Sequence, residues 1–183
     1  MQVLKESVRQ RIIKSARKEF EKRGFAKTSM RSIASNADMT VGNLYRYYEN
    51  KEILYGSIIG DLFKKIKTLK ANTPRDPEAR LEYLLENFKE LQRDYRTEWL
   101  TLFGDSSGTR YQKVADDIHT ILKNTLVAVF KKNGKKPEMA EPLTSAIIYG
   151  LNTILRTQKS KKNGDLADVF LDYMMVDITK RIA

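Results

Sequence analysis

Apolar residues recur three and four positions apart along almost the whole chain, and no stretch alternates apolar and polar residues with a period of two. A half-buried strand needs that alternation, whereas the observed spacing lines side chains along one side of a helix. The chain is therefore expected to be all-α, with about nine helices. Over 7–23, Val8, Ile12, Ala16 and Phe20 form a stripe with Ile13 beside it, and Gly24 supplies the stop. Thr28 is placed to cap a short helix over 29–36, with Met30, Ile33, Ala34 and the following Ala37 turned inward. A turn at Ala37-Asp38-Met39 leads to Thr40, which caps a second short helix through Tyr47. Asn50 then caps a longer helix striped with Ile53, Leu54, Ile58, Leu62, Ile66 and Leu69, and the two prolines of TPRDP, 73–77, end it. Further helices are expected over 78–94, 96–103, 111–132, 139–159 and 165–181. The expected domains are 1–54 and 55–183.

Charge narrows the partner. The sequence holds 34 Lys and Arg against 23 Asp and Glu, a formal net charge of +11. Residues 1–56 carry 12 basic and 6 acidic side chains, so the positive charge is densest in the first third. Such a footprint suits the phosphate backbone of a nucleic acid, where bound cations release counterions. An acidic membrane is the competing partner, but no exposed apolar face or lipid-attachment signal accompanies the basic residues. The absence of cysteine excludes disulfides, cysteine-ligated zinc and thiol nucleophiles. Charged residues run through every turn of MQVLKESVRQRIIKSARKEF, so neither a signal peptide nor a membrane span is expected there. The expectation is a cytoplasmic protein with no membrane partner.

Two short helices joined by a three-residue turn spell helix-turn-helix, whose second helix enters the major groove with its first residues near base edges. Thr40 and the free amides at that helix's start favour an anion. Gly42 lets the backbone approach a duplex closely. Asn43 offers an amide suited to an adenine edge or a phosphate, and Arg46 reaches a guanine edge or a phosphate. Lys51, in the first turn of the next helix, is placed as a phosphate clamp. Tyr45 and Tyr47 point to different sides of the helix and must have different tasks, while Leu44 is core and Tyr48 has a buried ring as its plainer reading.

From Thr28 to Leu54 the chain reads TSMRSIASNADMTVGNLYRYYENKEIL, which resembles the TetR family of bacterial transcriptional regulators. Members of that family show a pattern like T-x-x-x-I-A-x-x-A-G-V-S-x-G-x-L-Y-x-Y-F-x-S-K-E-x-L. The preceding RIIKSARKEFEKRGF is similar to the family's first helix. Asp38 stands where glycine is usual, Met39 where valine is usual and Tyr48 where phenylalanine is usual. Aspartate is among the few non-glycine residues enriched at positive φ, and Met39 and Tyr48 still fill apolar volume. The resemblance implies that Thr28, Thr40, Val41, Gly42, Asn43, Tyr45, Tyr47 and Lys51 contact DNA, with Met30, Arg31 and Arg46 as additions. It also implies a helical regulatory domain with a small-molecule cavity and a two-fold dimer made by the last two helices.

The later sequence supports part of this independently. The final helix is apolar on more than one face, and Ala146, Gly150 and Thr153 form a ridge of small residues on the helix before it. A four-helix interface between two copies is expected, with Phe170, Tyr173 and Met174 in it. The cavity candidates are Phe88, Leu91, Tyr95, Trp99, Phe103, Tyr111, Ile118, His119, Leu122 and Tyr149, aromatic residues and aliphatics with a few polar tips. GDSSG at 104–108 is superficially like a serine-protease nucleophile loop, but it joins helices and has no histidine and carboxylate arrayed beside it. Asp116 and His119 are too few ligands for a metal, and no phosphate-cradling glycine motif occurs. The sequence therefore predicts no enzyme, metal or cofactor. It predicts a homodimeric, ligand-responsive regulator, most simply a repressor, binding a palindromic double-stranded operator. A constitutive DNA-binding protein without a switch is the alternative, and a helical-bundle enzyme a remote one.

Overall fold

Helical dihedrals begin at Glu6 and run without interruption to Gly24, whose φ of 73° and ψ of 175° end the regular helix where the stop was expected. One further turn carries α1 (Glu6–Lys27) to its end. The computed structural model describes residues 5–104, 106–157 and 166–181. Among these residues there is no strand, and ten α-helices follow one another: α1, α2 (Met30–Asn36), α3 (Val41–Tyr45), α4 (Lys51–Ala71), α5 (Pro77–Asp94), α6 (Arg96–Gly104), α7 (Gln112–Lys132), α8 (Ala140–Thr157), α9 (Leu166–Met175) and α10 (Ile178–Arg181). A single 3-10 turn, Pro137–Met139, leads into α8. The expected helix limits at 158–159 and at 165 fall outside the described residues.

The caps explain several of these boundaries. Thr40 accepts the Asn43 amide at the start of α3, and Asn50 accepts the Ile53 amide at the start of α4. Asp76 accepts the Glu78 and Ala79 amides ahead of Pro77, so the proline that ends one helical run opens α5. The Ala79 amide, with Lys132 beside it, holds the Asp76 carboxyl below the usual carboxylate range.

Two boundaries differ from expectation. The cap of α2 is Ser29, because Ser32 stands three residues on and closes a reciprocal capping box with it. Thr28 is instead buried, its hydroxyl donating to the Glu19 and Gly24 carbonyls at the end of α1. The single final helix expected over 165–181 is broken, since Asp177 adopts a φ of 52° between α9 and α10.

The chain forms two compact units, and they do not follow a cut at 54/55. The first runs to Phe63 and takes in Thr97–Gln112; the second comprises Lys64–Arg96 and the residues from Lys113 onward. In the first, Ile12, Ala16 and Phe20 of α1 are sealed with Ile33, Ala34, Leu44, Leu54 and Tyr55. Tyr55 packs edge-on against Phe20 and Phe25 at 5.0 and 5.2 Å between ring centres, and its hydroxyl donates to the Thr101 carbonyl. In the second, Leu84, Phe88, Leu122, Leu126, Phe130, Ile147, Leu151 and Leu171 form the interior. α9 packs against both α5 and α8, and α5 is joined to it by Gln92–Asp168 and Lys89–Asp172 contacts of 2.8 and 2.7 Å.

Both tested departures from the family pattern have structural accounts. Asp38 sits at a φ of 51°, the conformation glycine usually supplies at such a turn. Tyr48 is buried with Arg9 over its ring, and its hydroxyl has no hydrogen-bond partner among the described residues. A buried hydroxyl without a partner costs free energy, so Tyr48→Phe should raise the unfolding free energy by about 1 kcal/mol in urea titrations. An unchanged or lower value would show that the hydroxyl is satisfied in solution.

Candidate nucleic-acid interface

The site is assembled where three chain segments meet. Thr28, Ser29, Met30 and Arg31 bring the start of α2, Val41 and Tyr45 one side of α3, and Glu49, Asn50 and Lys51 the entry to α4; together they line an open concavity of about 610 Å³. Leu44, fully buried, anchors α3 from below, while Thr40, Gly42, Tyr45 and Arg46 are exposed and Val41, Asn43 and Tyr47 are half-buried. A five-residue helix therefore presents most of its surface outward, with the Thr40 cap at its leading end. A Cβ built on Gly42 would meet nothing within 4 Å, so the space in front of it is open.

Three of the expected contact residues take up other tasks. Thr28 is spent on the end of α1, as described, and Met30 is 7% exposed and packs inward. Lys51 was expected as a clamp facing solvent. Its ammonium instead donates to the carbonyls of Phe25, Thr28 and Ala26 at 2.7, 2.8 and 3.4 Å and lies 4.2 Å from the centre of the Phe25 ring. Partial burial pushes its pKa below the ordinary lysine value. Carbonyls beyond Gly24 thus gain a donor from a side chain more than twenty residues downstream, the Phe25 carbonyl accepting it in addition to the Thr28 amide. Ser29, Glu49 and Asn50 were not among the expected site residues; the Ser-x-x-Ser spacing and the helix-capping asparagine are the signals that mark two of them.

The sequence pattern that defines "Bacterial regulatory proteins, tetR family" matches residues 12–58, which contain α2, α3 and most of α1. The likeness to that family is carried by this amino-terminal segment. It is 34% identical over 105 residues to the HTH-type transcriptional repressor KstR of Rhodococcus jostii (strain RHA1), a match covering 54% of this chain and 50% of KstR. The chain thus spans no more than half the length of the curated relatives it matches. A tetR-family regulator from Bordetella parapertussis 12822 superposes with a TM-score of 0.64 at 17% identity, covering 94% of this chain and 96% of that one. AibR, solved in complex with isovaleryl coenzyme A and operator DNA, gives 0.61 at 21% identity, covering 93% and 96%. At these identities the likeness is one of fold.

The residues expected to line an effector cavity are placed differently from one another. In the first unit Trp99 is fully buried and stacked on Phe103 at 4.3 Å, and Tyr111 lies against Tyr55 and Phe63. In the second unit Phe88, Leu91, Ile118 and Leu122 are core, and Tyr95 caps the end of α5. His119 has the polar partner a lone imidazole requires, Glu141 at 3.3 Å, on the surface. Tyr149 is 76% exposed, because it falls on the side of α8 opposite Ile147 and Leu151, so it does not line a cavity in this unit. An open cleft of about 430 Å³ does occur in this unit, floored by Leu81, Leu85, Val129, Met175 and Ile178, and none of the ten expected residues lines it. Among the described residues no group of His, Cys, Asp or Glu could hold a metal ion, and no helix is long and apolar enough to cross a membrane.

If Lys51 works as a clasp within the fold, replacing it must destabilise the protein itself. Lys51→Met should lower the unfolding free energy by about 1.5–3 kcal/mol, the range for hydrogen bonds to a charged group. Denaturant melts without DNA check this, and wild-type stability in the variant would return Lys51 to the role of a solvent-facing clamp.

Proposed function

We propose that the protein is a homodimeric, ligand-responsive transcriptional regulator that represses by binding a palindromic operator, with residues 1–54 reading DNA and 55–183 serving regulation and dimerisation. The observation that carries this reading is the outward presentation of Thr40, Val41, Gly42, Asn43, Tyr45 and Arg46 on a short helix anchored by Leu44. A duplex needs such a protrusion, bounded by cations and free of its own subunit's packing. Tyr47 and Arg31 flank it, and the capped amides at the start of α3 favour a phosphate. KstR is named a repressor, and AibR was crystallised with both an acyl-coenzyme A and its operator, which supports both the sign of regulation and a small-molecule effector here.

The homodimer is supported by an exposed apolar stripe. Leu166, Val169 and Tyr173 of α9 and Val176 just beyond it, three and four residues apart, are 52, 61, 70 and 47% exposed, and Tyr149 of α8 is exposed beside Ala146 and Thr153 on the same helix. Gly150 plays a different part from the one expected: a Cβ there would lie 2.4 Å from Phe170 Cζ, so its lack of a side chain seats a ring of its own chain. Phe170 and Met174 are half-buried as a result and leave Tyr173 as the most exposed residue of the stripe. A two-fold dimer on a palindrome needs its two copies of α3 at half-sites about 34–36 Å apart, one turn of duplex.

Selection of random duplexes on the purified protein should return a palindrome. On that sequence Asn43→Ala should reduce the preference over scrambled duplex by about 1–3 kcal/mol. Gly42→Ala should keep or slightly raise thermal stability, since its new methyl meets open space, yet weaken duplex binding. Fluorescence anisotropy measures both, and wild-type affinity in both variants would remove α3 from the interface. Tyr173→Glu should give a monomer by light scattering that loses tight binding to the two-half-site duplex; a persistent dimer would place the interface elsewhere.

A further inference from the structure

Along α1, Arg11, Lys14, Lys18 and Lys22 stand three, four and four residues apart, which places all four on one side of the helix. All are exposed, and together with Ser15, Glu19 and Asn36 they line an open groove of about 490 Å³ between α1 and the tail of α2. Three other α1 cations are engaged: Arg17 pairs with Glu98 at 2.6 Å, Arg23 with Glu19 at 3.5 Å, and Arg9 lies over Tyr48. None of the four groove cations joins an ion pair among the described residues. The groove's carboxylate, Glu19, is buried and already receives the Asn36 amide at 2.9 Å as well as Arg23. It therefore does little to neutralise the row beside it.

Like charges four residues apart on a helix repel and weaken it. A row of them is retained at a stability cost that a polyanion would relieve. From Arg11 to Lys22 the row runs about 16 Å at 1.5 Å per residue, long enough to follow several successive phosphates of one strand. Its location matters as much as its length. Asn36, on the groove's far wall, is the last residue of α2 and stands four residues before Thr40, the cap of α3.

We infer that the Arg11–Lys14–Lys18–Lys22 ridge is a second, sequence-independent phosphate track that holds duplex flanking the half-site read by α3. This rests on the reading of α3 given above. Base edges are read by α3 alone, and the ridge adds affinity, salt dependence and a preference for longer duplex without adding sequence preference.

The test compares full-length wild type, a triple variant (Lys14→Gln, Lys18→Gln, Lys22→Gln) and a charge-keeping control (Lys14→Arg, Lys18→Arg, Lys22→Arg). Each is titrated with the selected operator alone and with the operator extended by about 10 base pairs, one helical turn, on each side. Affinities are followed from about 50 to 200 mM KCl, where each phosphate contact contributes about 0.9 to the slope of log affinity against log salt. Wild type and the arginine control should bind the extended duplex more tightly and with a steeper slope. The glutamine variant should lose that gain, with a slope shallower by about 2–3 per subunit, while its ratio of operator to scrambled binding is kept and its melting temperature is kept or raised. An unchanged slope and flank gain in a folded glutamine variant would overturn the ridge alone. Wild type that binds no duplex would overturn both this inference and the reading of α3. Loss of binding to phosphatidylserine vesicles in the glutamine variant, with duplex binding unmoved, would assign the ridge to a membrane surface and overturn it as well.

Discussion

One ammonium group at the start of α4 holds three carbonyls at the end of α1, and the reading surface depends on that clasp. Gly24 ends the regular helix of α1, and in the following turn only the Phe25 carbonyl of the three receives a backbone amide, that of Thr28. Lys51 supplies the donors and also places positive charge where the helix dipole is negative. The segment between the clasped ends contains both α2 and α3. Holding its ends together removes much of the freedom the two short helices would have to drift apart. Thr28 reinforces the clasp by tying its hydroxyl to the same end of α1.

The remainder of the first unit then has a division of labour between inside and outside. Apolar contacts among α1, α2 and α4 fix where α3 sits, and α3 commits only Leu44 fully to that interior. Its polar and small residues are left to a partner. The second unit follows the opposite logic on α9, where an inner row of Ala167, Leu171 and Met175 is matched by an exposed apolar outer row. The first unit thus exposes polar groups and charge, and the second exposes greasy surface, which suit the proposed duplex and the proposed second copy respectively.

Helix identity, the stop at Gly24, the caps at Thr40 and Asn50 and the left-handed turn residue Asp38 were legible in the sequence, because each is a local effect settled within a few residues. What escaped was decided at a distance or by competition. Lys51 reads as a phosphate clamp until Phe25 and Thr28 are seen to lie within its reach, and no local pattern reveals that. Thr28 and Ser29 are both good caps, and only Ser32 settles the choice in favour of Ser29. Helical periodicity places Phe88 and Ile118 in an interior but cannot say whether that interior encloses space, so the cavity residues were the least legible. The break between α9 and α10 falls at Asp177, without the glycine or proline that would have announced it.

α3 contains five residues, fewer than two turns, and a helix of that length has no stability of its own in water. Its geometry is imposed from beneath, by the socket around Leu44. A molecule that loosened that socket would dissolve the recognition element without ever approaching the nucleic acid, so silencing needs no obstruction at the groove, only a little disorder behind it.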